Sequence, residues 1–149
     1  MRINICSNSE IHVRFYFMEK SYKFNVKIYY EDTDAGGVVY YANYLKFTER
    51  ARSEMIYEVL GLKHKELKEK FNVIFVVTAI NAKYLKSAKF EDNVTVITNI
   101  LKSSAVRLTL KQDIKIKDTL LFTSEVELAV VKENGSVQKL PKELLSKIN

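Results

Sequence analysis

Residues 30–45, YEDTDAGGVVYYANYL, decide how this chain is read. Three carboxylates, Glu31, Asp32 and Asp34, precede the pair Gly36–Gly37, and the tyrosines Tyr40 and Tyr41 follow just before a helix start. Upstream, KFNVKIYY (23–30) places Phe24, Val26, Ile28 and Tyr30 on one face with period two, which predicts a strand. Downstream, Asn43 is a good N-cap residue, and the following YLKFTERARSEMIYEVL predicts a helix to Leu60. A helix N-terminus carries unpaired N–H groups and the positive end of a dipole, which suit a developing oxyanion. A carboxylate beside it could attack a carbonyl carbon or activate water. The other reading is a polar loop closed by an Asx-type turn and a helix cap. Composition alone favours that second reading.

Working outward, Tyr44, Phe47, Ala51, Met55 and Val59 recur at three- and four-residue steps and form the apolar stripe of the helix. Gly61 stands where a left-handed cap is expected, with Leu62 after it, and KHKELKEK (63–70) predicts a second short helix. Beyond Phe71 the chain reads as strands at 73–86, 94–101, 104–116 and 119–132. In the last two, the even positions Val106, Leu108, Leu110, Ile114 and Ile116, then Leu120, Phe122, Val126, Leu128 and Val130, are apolar. Short polar breaks make antiparallel hairpins the economical connection. Asn134-Gly135 signals a turn, and Pro141 opens a short C-terminal helix. A helix of about 17 residues spans ~25 Å at 1.5 Å per residue, enough to lie along four long strands. Wrapping the sheet around it buries both apolar faces, an α+β arrangement.

The 149 residues suit one domain, with a core supplied by nine Tyr, eight Phe and a 47% hydrophobic composition. Four Gly and one Pro leave no flexible linker, and the single Cys6 excludes an internal disulfide framework. That fits a reducing, cytoplasmic setting. No apolar run nears the roughly 20 residues of a membrane span. The first twenty residues mix polar and apolar types too finely for a secretory signal and predict a poorly defined extension before a domain at 21–149. Met18 is an alternative start. The net charge of +6 concentrates at 81–117, where eight Lys or Arg face three acids. A solvated basic face and a landing surface for an anionic partner both account for it. CxxC, HExxH, GxSxG, P-loop and GxGxxG patterns are absent, and no metal site or cofactor is implied. His12 and His64 have no ligand-like neighbours, so surface roles are expected for both, and a catalytic triad is not.

The run YEDTDAGGVVYYANYLKFTERARSEM (30–55) closely resembles the signature of the hot-dog-fold acyl-CoA thioesterases of the 4-hydroxybenzoyl-CoA thioesterase group. Within that group it is most similar to the bacterial branch associated with the Tol-Pal envelope system. The shared pattern is an aromatic, D-T-D, a small pair, G-V-V-Y, then N-Y and a helix carrying E-R-A-R. The likeness runs from about residue 23 to the C-terminus, resting after Phe71 on strand order, FVV (75–77) and L-P-K (140–142). It implies a hot-dog fold, with an antiparallel sheet around one central helix, that hydrolyses short-chain or aromatic acyl-CoA to free acid and CoA. By position, Asp34 is the implied catalytic carboxylate, as nucleophile or general base, and Asp32 is structural. The backbone N–H of Tyr41 is the implied donor to the thioester oxygen. Tol-Pal relatives usually have His at that position, whereas the 4-hydroxybenzoyl-CoA enzymes have Tyr.

Tyr30, Gly37, Tyr40 and Tyr44 are the candidate substrate-binding residues, although aromatics more often serve cores and subunit contacts. Lys86, Lys102, Ser103 and Arg107, near predicted strand ends, are candidates for the phosphates of CoA. The resemblance further implies a homo-oligomer, dimer or tetramer, with sites between subunits. Acyl carrier protein is an alternative carrier of the substrate. The leading alternative function is a non-catalytic module that binds acyl-CoA or acyl carrier protein. A hydroxyacyl dehydratase would need a His that residues 13–63 lack, and no nucleic-acid motif accompanies the basic stretch.

Overall fold

The computed structural model describes residues 20–149, so Cys6, His12 and the alternative start at Met18 lie outside the described residues. Strand β1 (Ser21–Lys27) leads into a single 3-10 turn (Tyr30–Asp32) and then helix α1 (Asn43–Leu60). Helix α2 (His64–Phe71), strands β2 (Ile74–Tyr84), β3 (Asn93–Ser103), β4 (Arg107–Ile116) and β5 (Thr119–Val131), and helix α3 (Lys142–Ile148) follow. The sheet is antiparallel with order β1-β3-β4-β5-β2. It wraps around α1, giving the expected hot-dog arrangement.

Hairpins join β3 to β4 and β4 to β5, as the short breaks predict. Strand β2, however, pairs with β5 rather than with its sequence neighbour β3, because β1 already occupies the free edge of β3. The first strand also stops earlier than expected. Tyr30 leaves the period-two face and turns into solvent, while Tyr22, Val26 and Ile28 point inward. Asn43 is the first helical residue and not a side-chain N-cap. Its Nδ2 instead donates to the Asp32 carbonyl at 3.0 Å and ties the helix start to the acidic loop. Gly61 closes α1 at φ 71°, as its position predicts.

Inward-facing rows run across the strands of the sheet. Phe24, Val96, Ile114, Phe122 and Tyr84 form one, and they pack with Tyr44 and Phe47 in the first half of α1. Ile100, Leu110 and Val126 form another row, packed with Met55, Ile56 and Leu60 in the second half. Each fully buried Phe, Ile or Leu contributes roughly 1.5–3 kcal/mol of transfer free energy.

Between these rows the sheet carries Thr98, Gln112 and Ser124 side by side, all buried. Gln112 donates to the Thr48 carbonyl at 3.0 Å and to the Thr98 hydroxyl at 2.9 Å, and accepts from Arg52 Nη1 at 2.9 Å. A polar layer thus divides the core into two apolar halves. The even-position patterns of β4 and β5 skip positions 112 and 124 for this reason.

Candidate active site

The acidic loop is held by its own backbone. Asp32, nearly buried, accepts the Tyr29 N–H on Oδ2 at 2.9 Å, and its carbonyl accepts the Tyr40 N–H at 2.9 Å. This is the structural role expected of it. Asp34 is exposed instead. Its N–H donates to the Val38 carbonyl at 2.9 Å, and its Oδ1 accepts the Gly36 N–H at 2.8 Å. Oδ2 takes no hydrogen bond from the described residues. A Cβ on Gly36 would sit 3.1 Å from Asp34 Oδ1, so a larger residue there would crowd the carboxylate. Gly37 adopts φ +76°, which favours glycine in the turn returning to Val38.

Asp34 lines a cleft of about 320 Å³ with Val38, Tyr40, Tyr41, Tyr44, Tyr84 and Lys86 among its walls. Tyr41 is two residues before α1, and its N–H meets no protein acceptor among the described residues. One carboxylate and one residue with an unpaired amide just before a helix therefore line the same cleft. Tyr44 is buried, and its hydroxyl accepts the Ala88 N–H at 2.9 Å, fixing the end of the 84–87 segment that also lines the cleft. The rings of Tyr41 and Tyr84 meet edge-on at 6.0 Å, and those of Tyr40 and Tyr41 at 4.9 Å.

The sequence-derived residues divide. Asp34, Tyr40, Tyr41, Tyr44 and Lys86 meet in the cleft, and Gly37 shapes its loop. Tyr30 does not line it, but is exposed and stacked on Phe90. Lys102, Ser103 and Arg107 sit at the β3–β4 hairpin end. Seven residues of β4 separate Arg107 from Ile114, about 23 Å at the usual strand rise, so these three do not reach the cleft of the same chain. There Arg107 lies 3.8 Å from Glu127, and Ser103 bonds Asn149. Tyr84, Leu85 and Ser87 also line the cleft, although no local sequence pattern marks them. Only the β2–β5 register, which sets Tyr84 opposite Phe122, brings them there.

The phenols of the cleft are poor bases. Burial raises the Tyr44 and Tyr84 hydroxyls above the ordinary phenol range, and the neighbouring Tyr41 phenol does the same for Tyr40. All three stay neutral through the physiological range, and no His lines the cleft. Replacing Tyr41 by His should therefore add an ionisation between about pH 6 and 7 to the rate profile, absent from the parent. Superimposable profiles for Tyr41→His and the parent would place that side chain outside the reacting environment.

Residues 36–123 match the family model of the thioesterase superfamily. The acyl-CoA thioesterase YbgC of Haemophilus influenzae is 35% identical over 114 residues, covering 76% of this chain and 83% of that protein. Among solved structures, the probable thioesterase of Bartonella henselae superposes with TM-score 0.78 at 31% identity, covering 82% of this chain and all (100%) of that one. The DHNA-CoA thioesterase of Staphylococcus aureus superposes with TM-score 0.73 at 31% identity, covering 80% of each chain.

Proposed function

Because the chain belongs to the thioesterase superfamily and is a thioester hydrolase, we propose that it hydrolyses acyl-CoA, with short-chain or aromatic acyl groups, and that Asp34 is its catalytic carboxylate. The observation that carries this reading is that Asp34 and Tyr41, whose N–H is unpartnered among the described residues, line one cleft. The thioester oxygen accepts the Tyr41 amide hydrogen, which stabilises the negative charge that develops on it. Asp34 then acts by one of two routes. As a base it takes a proton from water, the resulting hydroxide adds to the carbonyl carbon, and the C–S bond breaks as the leaving thiolate takes that proton from Asp34. As a nucleophile it forms a mixed anhydride with loss of the thiol, and water then cleaves the anhydride.

Cleft size and aromatic walls support a compact acyl group. The YEDTDAGGVVYYANY run supports placement with the Tol-Pal-associated branch of the 4-hydroxybenzoyl-CoA thioesterase group. CoA is a cytoplasmic cofactor, and we place the enzyme there, which cell fractionation checks. No helix of the described residues is long and apolar enough to cross a membrane.

A homodimer or tetramer belongs to the same reading. Strand β2 is a sheet edge that exposes Val76, Val77, Ile80 and Tyr84, and its Tyr84 end lines the cleft. A long apolar edge strand is stable when it pairs with a second edge. Lys102, Ser103 and Arg107 would reach bound CoA only from another subunit.

Thiol release across a panel of acyl-CoAs and acyl carrier protein thioesters, with the particle mass measured by light scattering, tests the proposal. Turnover of a compact acyl-CoA by an oligomer is expected. Turnover confined to carrier-protein substrates would overturn the CoA assignment, and a single-chain mass would overturn the shared edge. Label entering Asp34 in a single-turnover reaction in ¹⁸O-water establishes the nucleophilic route, since it requires water to attack the aspartyl carbonyl of the anhydride.

A further inference from the structure

We infer that Tyr30 and Phe90 form a stacking platform for the adenine base of the CoA substrate, outside the catalytic cleft. The inference rests on the acyl-CoA reading above. The Tyr30 ring lies 3.9 Å from that of Phe90 with planes 15° apart, and Tyr30 is still 76% exposed. One face of an aromatic ring is therefore covered and the rest is open to solvent. Burying such a ring against a second planar group is favourable, and a purine has the matching flat π surface.

The platform is held in place before any ligand arrives. The Tyr30 carbonyl accepts the Thr33 N–H at 3.1 Å and the Thr33 hydroxyl at 2.9 Å. The turn carrying Phe90 is closed by Lys89 N–H to Asp92 Oδ2 at 2.8 Å. Ile28 joins the two turns, donating to the Asp92 carbonyl at 2.9 Å and accepting the Glu91 N–H at 3.1 Å. A preformed surface saves the ordering entropy that a loose loop would lose on binding.

The platform is also continuous with the cleft. Val39 N–H donates to the Ala88 carbonyl at 2.8 Å, and Val38 bridges to Lys89, so residues 86–90 run from the cleft wall to the Phe90 ring. Lys86 and Lys89, both exposed, lie along that path and suit the phosphates of CoA. Glu31 and Glu91 are exposed beside the rings in sequence. They disfavour a phosphate at the platform itself, while a carboxylate can accept the exocyclic amine of adenine. The chemistry thus orders the ligand: thioester at Asp34, phosphates at the lysines, base on Tyr30. Acyl carrier protein shares the pantetheine arm but carries no adenine, so the platform would favour CoA.

The test compares one acyl group on CoA and on pantetheine. Alanine at a base-stacking position typically weakens binding by a factor of about 10 or more. For Tyr30→Ala, KM for acyl-CoA should rise about tenfold with kcat held and the pantetheine thioester unaffected. Tyr30→Phe should restore KM. Equal effects on both substrates, or none on either, overturn the platform. A second readout is independent of turnover. The chain has no tryptophan, so Tyr30→Trp places a sole indole at the platform, and adenosine 3′,5′-bisphosphate should quench its fluorescence. Absence of quenching also overturns the inference. Quenching in a protein that hydrolyses no acyl-CoA would keep the platform and remove the substrate assignment instead.

Discussion

Asp34→Asn should lower kcat for an acyl-CoA thioester by on the order of 10²- to 10⁴-fold, the range expected when a positioned proton-transfer group is lost. KM should change little. The amide oxygen of Asn can still accept the Gly36 N–H that Asp34 Oδ1 accepts at 2.8 Å, so the loop keeps its turn. What is lost is the charge on the second oxygen, which no described residue hydrogen-bonds. A purely structural defect would instead reduce thermal stability along with activity, so both are measured on the same preparation. Parental kcat in the Asn variant would exclude Asp34 from the chemistry.

The largest effect on stability is expected away from the cleft, at Gln112. This side chain is fully buried, and it satisfies a helix carbonyl, a threonine hydroxyl and a guanidinium together. Leucine at 112 has a similar size but removes all three interactions. Leaving buried polar groups unpaired costs roughly 1–3 kcal/mol each, and more for a charged one. The groups left behind share some relief through solvent at Arg52, which is only partly buried. Gln112→Leu should therefore destabilise by about 3 kcal/mol, and lower Tm by roughly 10 °C for a chain of this size. Burial already pulls the Arg52 pKa downward, a sign that its charge is poorly solvated. Adding Arg52→Met to Gln112→Leu should restore part of the loss, because the stranded charge is gone. A double variant as unstable as the sum of the singles would show that the two residues do not interact.

The strand–loop–helix order around 30–60 is legible because it is local. Apolar spacing sets the helix, Gly61 ends it at φ 71°, and Gly36–Gly37 mark the turn below Asp34. The hairpins β3–β4–β5 are legible for the same reason, since their partners are near in sequence. Tyr30 shows where periodicity fails: a strand pattern continues through it, but the backbone has already turned at the 3-10 segment. Lys102 and Arg107 show the complementary failure. Charge and proximity to strand ends suggested a phosphate site, yet a strand has two ends, and sequence does not say which one lies beside the helix N-terminus.

The sequence by itself determined which groups are available: a carboxylate two residues before a glycine pair, a free amide at the mouth of a helix, and enough alternating apolar residues to close a sheet around that helix. These depend on neighbours within a few residues, where steric and hydrogen-bond preferences act directly on the chain. Tertiary structure alone decided that β2 crosses to the β5 edge, that Tyr84 joins the cleft, that Tyr30 leaves it for Phe90, and that Gln112 ties the sheet to Arg52. Each of these contacts joins residues 38 to 60 positions apart. Their free energy comes from burial and pairing that exist only once the whole sheet has closed, so no local pattern encodes them.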